Sequence, residues 1–461
     1  MKLEILRNTN TAELTVALVE IDEATVFVSE LSGTDKISAE FYTENYIDVK
    51  ICDYVVFRGR AFKVNTIPYC EMVDKRTYLN RIDFFGEIYD LYNEILIHEG
   101  RTRFTYSGDA EDLLNLLVNA MNIDVPTHSW QVGQFEENTK VETFTFSEVN
   151  CRVALTDISE RFGLEYNVED RKINLVKRIG IDHDLTLEYG RGKGLQNVVR
   201  QPIDRPFATV WYCYGGSQNL PDNYRNGMDR LTLSAPVERN VSIYGRKKGS
   251  VTFPDVYPQR TGVVSSVVTS LSFTDSSLDF NINSQVIINS DAKVVFKSGE
   301  LSGQEFKIAS YDNATKKITI ASHTDEYSVV MPNSAFSIAV GDTYTLINIV
   351  MPLSYIQAAE AELLKLAKEY AKANSYPPVS FPLSIDEKFV REMDLKYKLR
   401  GGDTVVVKCT ELGIWSKTRL QSVSYPLVNP YAISGVVADN VPYTSQELLI
   451  KDVRKLKRLI S

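Results

Sequence analysis

The chain has little of what most catalytic chemistry is built on. Its 461 residues hold four histidines, His98, His128, His183 and His323, spread far apart. His98-Glu99 is followed by Gly100-Arg101-Thr102, so the HExxH pattern fails at its second histidine, and no HxH pair occurs. The ligand sets of the common metallopeptidases are thereby excluded. Asp182-His183-Asp184 is the nearest approach to a metal cluster, and it reads as a solvated turn at a domain crossing. The GxSxG nucleophile elbow and the Walker phosphate loop are also missing. Cysteine is sparse as well: Cys52, Cys70, Cys151, Cys213 and Cys409 are odd in number, widely spaced and without a CxxC. They read as reduced, buried small hydrophobes in strand or helix cores, excluding a disulfide framework or a zinc site.

Positive charge is short. Fifty-one basic residues against 60 acidic ones leave a net charge of −9, which excludes broad wrapping of nucleic acid but not an acidic wall past which a polyanion slides. No signal peptide precedes Met1-Lys-Leu-Glu-Ile-Leu6, and no apolar run approaches the ~18 residues of a membrane span. The expectation is synthesis in a cytoplasm and no unaided membrane insertion.

What is present is a globular composition, 44% hydrophobic and 24% charged, with 25 Tyr and 20 Phe that lean it towards β-structure. The length exceeds one ordinary core, so two to four domains are expected. Residues 1–100 alternate apolar and polar side chains, as in Leu14–Ile21, and Arg58-Gly59-Arg60 marks a hairpin between Tyr54–Phe57 and Ala61–Val64. Residues 101–186 change to helical periodicity. Ser107 is expected to cap a helix carrying Leu113, Leu114, Leu116, Leu117, Val118 and Met121, and Ser147 precedes a second helix that Gly163 stops. A hairpin turning at Asp170-Arg171 completes an α+β insertion. Residues 187–260 return to strands, and residues 261–350, bounded by Pro254, Pro258 and Pro352, form an inserted β domain. A helix fills 351–376 and ends at Pro377-Pro378; residues 377–440 are again β.

Gly402-Asp-Thr-Val-Val-Val407 echoes Cys52-Asp-Tyr-Val-Val-Phe57. The echo is short, and it is either a true duplication, giving two look-alike barrels per chain, or a common way for barrels to begin strands. Residues 441–461 form a helix with Leu449, Val453, Leu456 and Ile460 on an a/d seam among Lys451, Arg454, Lys455, Lys457 and Arg458. Two heptads fit either self-association or packing on the helix's own domain.

The organising stretch is Leu187–Arg225. Gly190, Gly192 and Gly194 follow GxGxG, not GxGxxG, and lead into a strand-like run stopped by Pro202. A phosphate cradle needs a helix N-terminus there, so the glycines read as a tight crossing between strands. Arg246-Lys247-Lys248, the clearest internal basic cluster, reads as a solvated hairpin tip.

Within this stretch Tyr189, Gly190 and Gly192 make a Tyr-Gly-x-Gly opening, then Tyr212, Tyr214, Gly215 and Gly216 a Tyr-x-Tyr-Gly-Gly, with Pro221, Tyr224 and Arg225 close behind. On these residues the chain resembles the baseplate hub or tail-tip proteins of long-tailed bacteriophages and prophages. The resemblance continues through Tyr244-Gly245, Asp255-Val-Tyr-Pro258, Phe273-Thr-Asp275, Ser298-Gly299, Gly341-Asp342 and Met351-Pro352, so it covers most of the chain from about 180 onward. The pattern is most similar to prophage tail proteins of Bacteroides-type bacteria.

The resemblance implies a mainly β chain with an α+β insertion and two small antiparallel, tail-tube-like barrels made of discontinuous segments. It further implies a homotrimer whose six barrels form a ring that closes the tail tube and adapts sixfold to threefold symmetry. DNA then passes without specific binding. The partners implied are the tail tube or distal tail protein on one side and a downstream tip or fibre protein on the other, in the virion tail tip. Some relatives carry a C-terminal extension with peptidase or wall-degrading activity; this chain runs to Ser461 without one, so neither enzyme activity nor a cofactor is expected. The alternatives are a cell-wall hydrolase at the tip, or a carbohydrate-binding module in 261–350 with Phe273, Phe296, Phe306, Tyr311 and Tyr327 as stacking platforms, although core packing is the first reading of these five aromatics.

Overall fold

The computed structural model describes residues 1–9, 12–31, 33, 35–124, 129–203, 207–287, 290–324, 330–334, 336–412 and 414–438. The C-terminal seam of Leu449, Val453, Leu456 and Ile460 lies outside the described residues, as do His128 and Tyr327.

The period-two alternation of the first hundred residues folds into eight strands. They are β1 (Lys2–Asn8), β2 (Glu13–Glu20), β3 (Val26–Glu30), β4 (Lys36–Thr43), β5 (Tyr54–Phe57), β6 (Arg60–Val64), β7 (Tyr69–Asp74) and β8 (Thr77–Phe85). Leu3 and Ile5 of β1, and Ile37, Ala39 and Phe41 of β4, turn the same way into one core, as the pleat requires. The β5–β6 turn is the expected hairpin, with Arg58 at φ 54° and Gly59 at φ 79°.

Seven later strands join the same sheet: β9 (Asp182–Tyr189), β10 (Gly194–Val198), β11 (Gln201–Pro202), β12 (Val379–Ile385), β13 (Thr404–Cys409), β14 (Ile414–Pro426) and β15 (Ser434–Ala438). The backbone order is β11-β12-β10-β9-β13-β14-β3-β4-β8-β6-β5-β1-β2, with β15 between β12 and β14 and β7 on β8. Because β15 bonds both β12 and β14, six strands close on themselves in the order β9-β10-β12-β15-β14-β13. The chain is thus mainly β, with a closed six-stranded barrel. Strands β9 and β10 run parallel as neighbours across only Gly190–Lys193, a connection far shorter than parallel pairs ordinarily use. Three glycines at φ 130°, 76° and 105° permit it, so the expected tight crossing is present.

The early and late strands meet where β3 pairs with the second half of β14, from Val26↔Pro426 to Glu30↔Ser422. Phe27 and Tyr425 lie 5.2 Å apart there, and apolar side chains from both sets of strands form one continuous core.

A second core is built on helices α1 (Ala110–Met121) and α2 (Cys151–Phe162). Their caps differ from expectation. Asp109, not Ser107, caps α1, in a reciprocal capping box with Asp112, while Ser107 sits on the strand Arg103–Gly108 bonded to Thr143. Asn150, not Ser147, caps α2, and Gly163 ends it at φ 65° as expected. Asp and Asn side chains one residue before the helix outcompete the upstream serines because only they reach the free N–H groups. The hairpin Glu165–Glu169 and Lys172–Val176 turns at Asp170 and Arg171, both left-handed.

A third core fills a seven-stranded β unit between Thr261 and Ile347, and it contains Phe273, Phe296, Phe306 and Tyr344. The long helix α3 (Leu353–Asn374) lays Ile356, Ala359 and Leu363 against Leu220, Tyr224, Leu231 and Val256, and Ala367 and Ala371 against Trp211 and Cys213 of the strand Val210–Tyr214. Its 22 residues match the expected helix.

Candidate functional site

The Asp-x-Val-Val echo places two aspartates in the same local cage. Asp53 precedes β5 and Asp403 precedes β13, and both side chains are buried, at 1% and 3% exposure. At the first, the N–H of Cys52 donates to the Val64 carbonyl (2.9 Å), that of Val64 to the Asp53 carbonyl (2.8 Å), and that of Asp53 to the Lys50 carbonyl (3.1 Å). The N–H of Lys50 donates to the Asp53 carboxylate (2.7 Å). At the second, Gly402 donates to Leu420 (2.7 Å), Leu420 to Asp403 (2.8 Å) and Asp403 to Arg400 (3.2 Å), while the Arg400 N–H donates to the Asp403 carboxylate (2.9 Å). Cys52 and Gly402 both have positive φ, 73° and 98°.

The remaining carboxylate valence is filled differently. Arg7 on β1 makes two bonds to Asp53, at 2.7 and 2.8 Å. Asp403 takes the Ile181 N–H at 2.8 Å and lies 2.8 Å from His183 Nε2 on β9. The expectation that Asp182-His183-Asp184 is a solvated turn is therefore corrected. His183 is tied to a buried carboxylate, Asp182 pairs with Lys417, and only the Asp184 position, at φ 47°, has turn geometry.

The motif residues of the central stretch occupy structural joints. Tyr189 and Tyr212 are exposed, at the end of β9 and on the strand Val210–Tyr214. Gly190 and Gly192 form the β9–β10 crossing, and Tyr214 faces Arg230. A Cβ at Gly215 would stand 2.3 Å from the Val256 carbonyl oxygen, and one at Gly216 2.4 Å from that of Pro254, so only glycine fits these backbone crossings. The carbonyl of Pro221 accepts the Tyr224 N–H, whose hydroxyl lies 2.7 Å from Glu360 of α3; Arg225 pairs with the same carboxylate at 3.0 Å. These residues lie along one segment of the chain.

Asn219, next to that motif, is the residue whose role the sequence least announces. Buried and left-handed at φ 64°, it donates to the carbonyls of Pro258 (2.9 Å) and Leu346 (2.8 Å) and accepts from Ile349 (3.3 Å); Met351 donates to its own carbonyl. One side chain thus grips both chain segments that connect the 261–350 region to the rest. Asp275 forms a second bolt. It receives Arg260 at 2.8 Å, the Tyr344 hydroxyl at 2.8 Å and the Ser277 hydroxyl at 2.5 Å. Burial raises the Asp275 carboxyl, but these bonds and the Arg260 charge outweigh it and leave it below the usual carboxylate range.

Phe273, Phe296 and Phe306 are fully buried and Tyr311 nearly so, so of the two readings of these side chains they take core packing and not the sugar platform. They form the core of their unit because their strands alternate inward. Arg246 pairs with Glu238 just ahead of the strand Lys248–Thr252, and Lys247 lies over Phe207, so the basic cluster opens a strand and is not a hairpin tip. Of the cysteines, Cys151, Cys213 and Cys409 are buried as expected, but Cys52 and Cys70 are exposed. Cys52 takes the turn position before Asp53, and Cys70 lies on β7, which has no core on either face. Burial pushes the Cys151 thiol up to about 12 and the Cys213 thiol up to about 11, the opposite of an activated nucleophile. Among the described residues, no group of three or more His, Cys, Asp or Glu is placed to hold a metal ion, and no helix is long and apolar enough to cross a membrane.

No family model and no curated protein matches the chain. Its fold is that of the prophage tail protein gp18 from Listeria monocytogenes EGD-e, with a TM-score of 0.50 at 11% identity over 99% of this chain and 100% of the other. The 43 kDa tail protein of prophage MuSo2 from Shewanella oneidensis follows at TM-score 0.49 and 8% identity, covering 94% and 97%. A tail protein from Neisseria meningitidis MC58 gives 0.46 and 10%, covering 95% and 96%.

Proposed function

We propose that this chain is a structural hub protein of a phage or prophage tail. Three copies form a ring that closes the tail tube and adapts its sixfold symmetry to the threefold of the tail tip. The observation that carries the reading is the matched cage around Asp53 and Asp403. Two copies of one β module per chain give six modules per trimer, which is the number a sixfold tube presents. The 1–100 strands supply one module and segments from 187–260 and 377–440 the other, with 101–186 and 261–350 inserted.

Support comes from the fold shared along nearly the full length with a prophage tail protein. The net charge of −9 suits a bore that DNA traverses without sticking. In this reading the ring joins the tail tube or distal tail protein above and a tip or fibre protein below, and the seam of Leu449, Val453, Leu456 and Ile460 lies near the threefold axis. The work is mechanical, with no reaction assigned. Sedimentation of the purified full chain tests it: a three-chain particle agrees, and a monomer at high concentration contradicts it.

A further inference from the structure

The internal junction between β3 and β14 has counterparts of its strands in both halves of the chain. Its neighbours recur in both halves. In the late half, β14 beyond Leu420 is backed by β15, β15 by β12 (Ser380↔Ala438), and β12 by β11 (Gln201↔Ser380). In the early half, β7 is backed by β8, β8 by β4 (Lys36↔Phe85), and β4 by β3 (Val28↔Lys36). Val64 and Leu420, which both donate to the caged aspartates, fix the alignment: Val64 pairs with Phe84 where Leu420 pairs with Val437.

Under that alignment β7 stands where the second half of β14 stands, and β11 stands where β3 stands. The difference is that β3 and β14 have each other, whereas among the described residues β7 and β11 each leave an edge without a strand. Every residue of β7 is exposed, with Met72 at 64% and the preceding Ile67 at 85%. A strand with no buried face and an open edge is a template for pairing.

We propose that the outer edge of β7 in one copy pairs antiparallel with Val199–Ile203, the β11 segment, of the next copy, repeating between chains the β3–β14 junction within a chain. This rests on the trimer reading and names its interface. The alignment carries Phe27↔Tyr425 onto Arg200↔Cys70, Val26↔Pro426 onto Val199↔Glu71, and Ser29↔Val423 onto Pro202↔Pro68. Val199 and Ile203 turn their N–H groups to β12, so Pro202 presents its nitrogen to the open edge; opposite Pro68 it forgoes the two main-chain bonds of that position, and the pairing rests on the flanking residues. The two edges differ, so the contact is head-to-tail, the kind that closes a ring of three when its rotation is a third of a turn.

The native Cys70 supplies the test. In the full chain with Cys52→Ser, the change Arg200→Cys sets a thiol opposite Cys70 of the neighbour. Mild oxidation is expected to give dimers and trimers on a non-reducing gel, and Cys70→Ser is expected to abolish them. As a control, Thr15→Cys on the other sheet end, β2, is expected not to link to Cys70. A three-chain particle that fails to cross-link at 200 and 70, or that links Cys70 to position 15, overturns this interface and leaves the ring standing. A wild-type chain that stays monomeric overturns both. Hydrogen exchange of unmodified protein decides the matter should the variant misfold: amides of 69–74 and 199–203 are expected to slow at least tenfold on assembly, and unchanged rates there overturn the interface.

Discussion

Asp53 and Asp403 hold their turns through the same four main-chain and side-chain bonds, although Arg7 completes one cage and a contact with His183 the other. Each carboxylate collects several part-buried donors at once. Asp403→Ala strands the N–H groups of Ile181 and Arg400 and is expected to cost about 2–4 kcal/mol. Asp53→Ala is expected to fall in the same range, about 2–4 kcal/mol, as it frees Lys50 and Arg7. Chemical denaturation measures both; a loss under about 0.5 kcal/mol at either site, the range of neutral surface changes, would deny it a structural role.

Asn219 is expected to matter more than its size suggests. Asn219→Ala leaves two carbonyls and one N–H short of a partner and should lower stability by about 2–4 kcal/mol. Proteolysis around Pro258 and Leu346 should quicken at the same time, because the amide joins these two segments. Wild-type cleavage rates in the variant would show that the segments are held by other means.

Two glycines of the central motif are expected to behave differently on substitution. Gly192 has φ 76° and open space around it, so Gly192→Ala should cost only the left-handed penalty of about 1–2 kcal/mol. Gly215→Ala drives a methyl group against the Val256 carbonyl and should block folding of the central strands or leave the protein insoluble. Equal expression and melting of the two variants would contradict the crossing geometry.

Asp275 gives the fold an acid-sensitive bolt. Its carboxyl sits below the usual range when folded, so its contribution is fully present above the unfolded value and is lost as pH falls through the lower, folded one. Asp275→Asn removes the charge that Arg260 pairs with and should cost about 2 kcal/mol at neutral pH, shrinking as the pH drops below the ordinary carboxylate value of about 4. Thermal melts across that range report it; a difference between variant and wild type that stays constant with pH would remove Asp275 from the account.

Much of this was legible where local chemistry decides structure. The Arg58-Gly59 hairpin, the stop at Gly163, the turn at Asp170-Arg171 and the long helix before Pro377 follow from backbone preferences that tertiary packing leaves alone. The helix caps were misjudged by two or three residues because several Ser, Asp and Asn side chains competed for the same N–H groups. The Asp-x-Val-Val echo pointed at the caged aspartates, but nothing local says that Asp403 meets His183 or that Asn219 reaches Leu346, since those partners are distant in the chain. The exposed Cys52 and Cys70 were hidden for a related reason: strand pattern shows alternation, not whether either face finds a core.

The central claim is that one chain supplies two look-alike β modules to a threefold ring. Imaging the assembled particle by electron microscopy, with its mass measured in parallel, tests this most directly. The expected result is a particle of three times the 52.1 kDa chain mass, with six similar lobes around an open channel. A single chain, a different stoichiometry or a particle with no channel would contradict it.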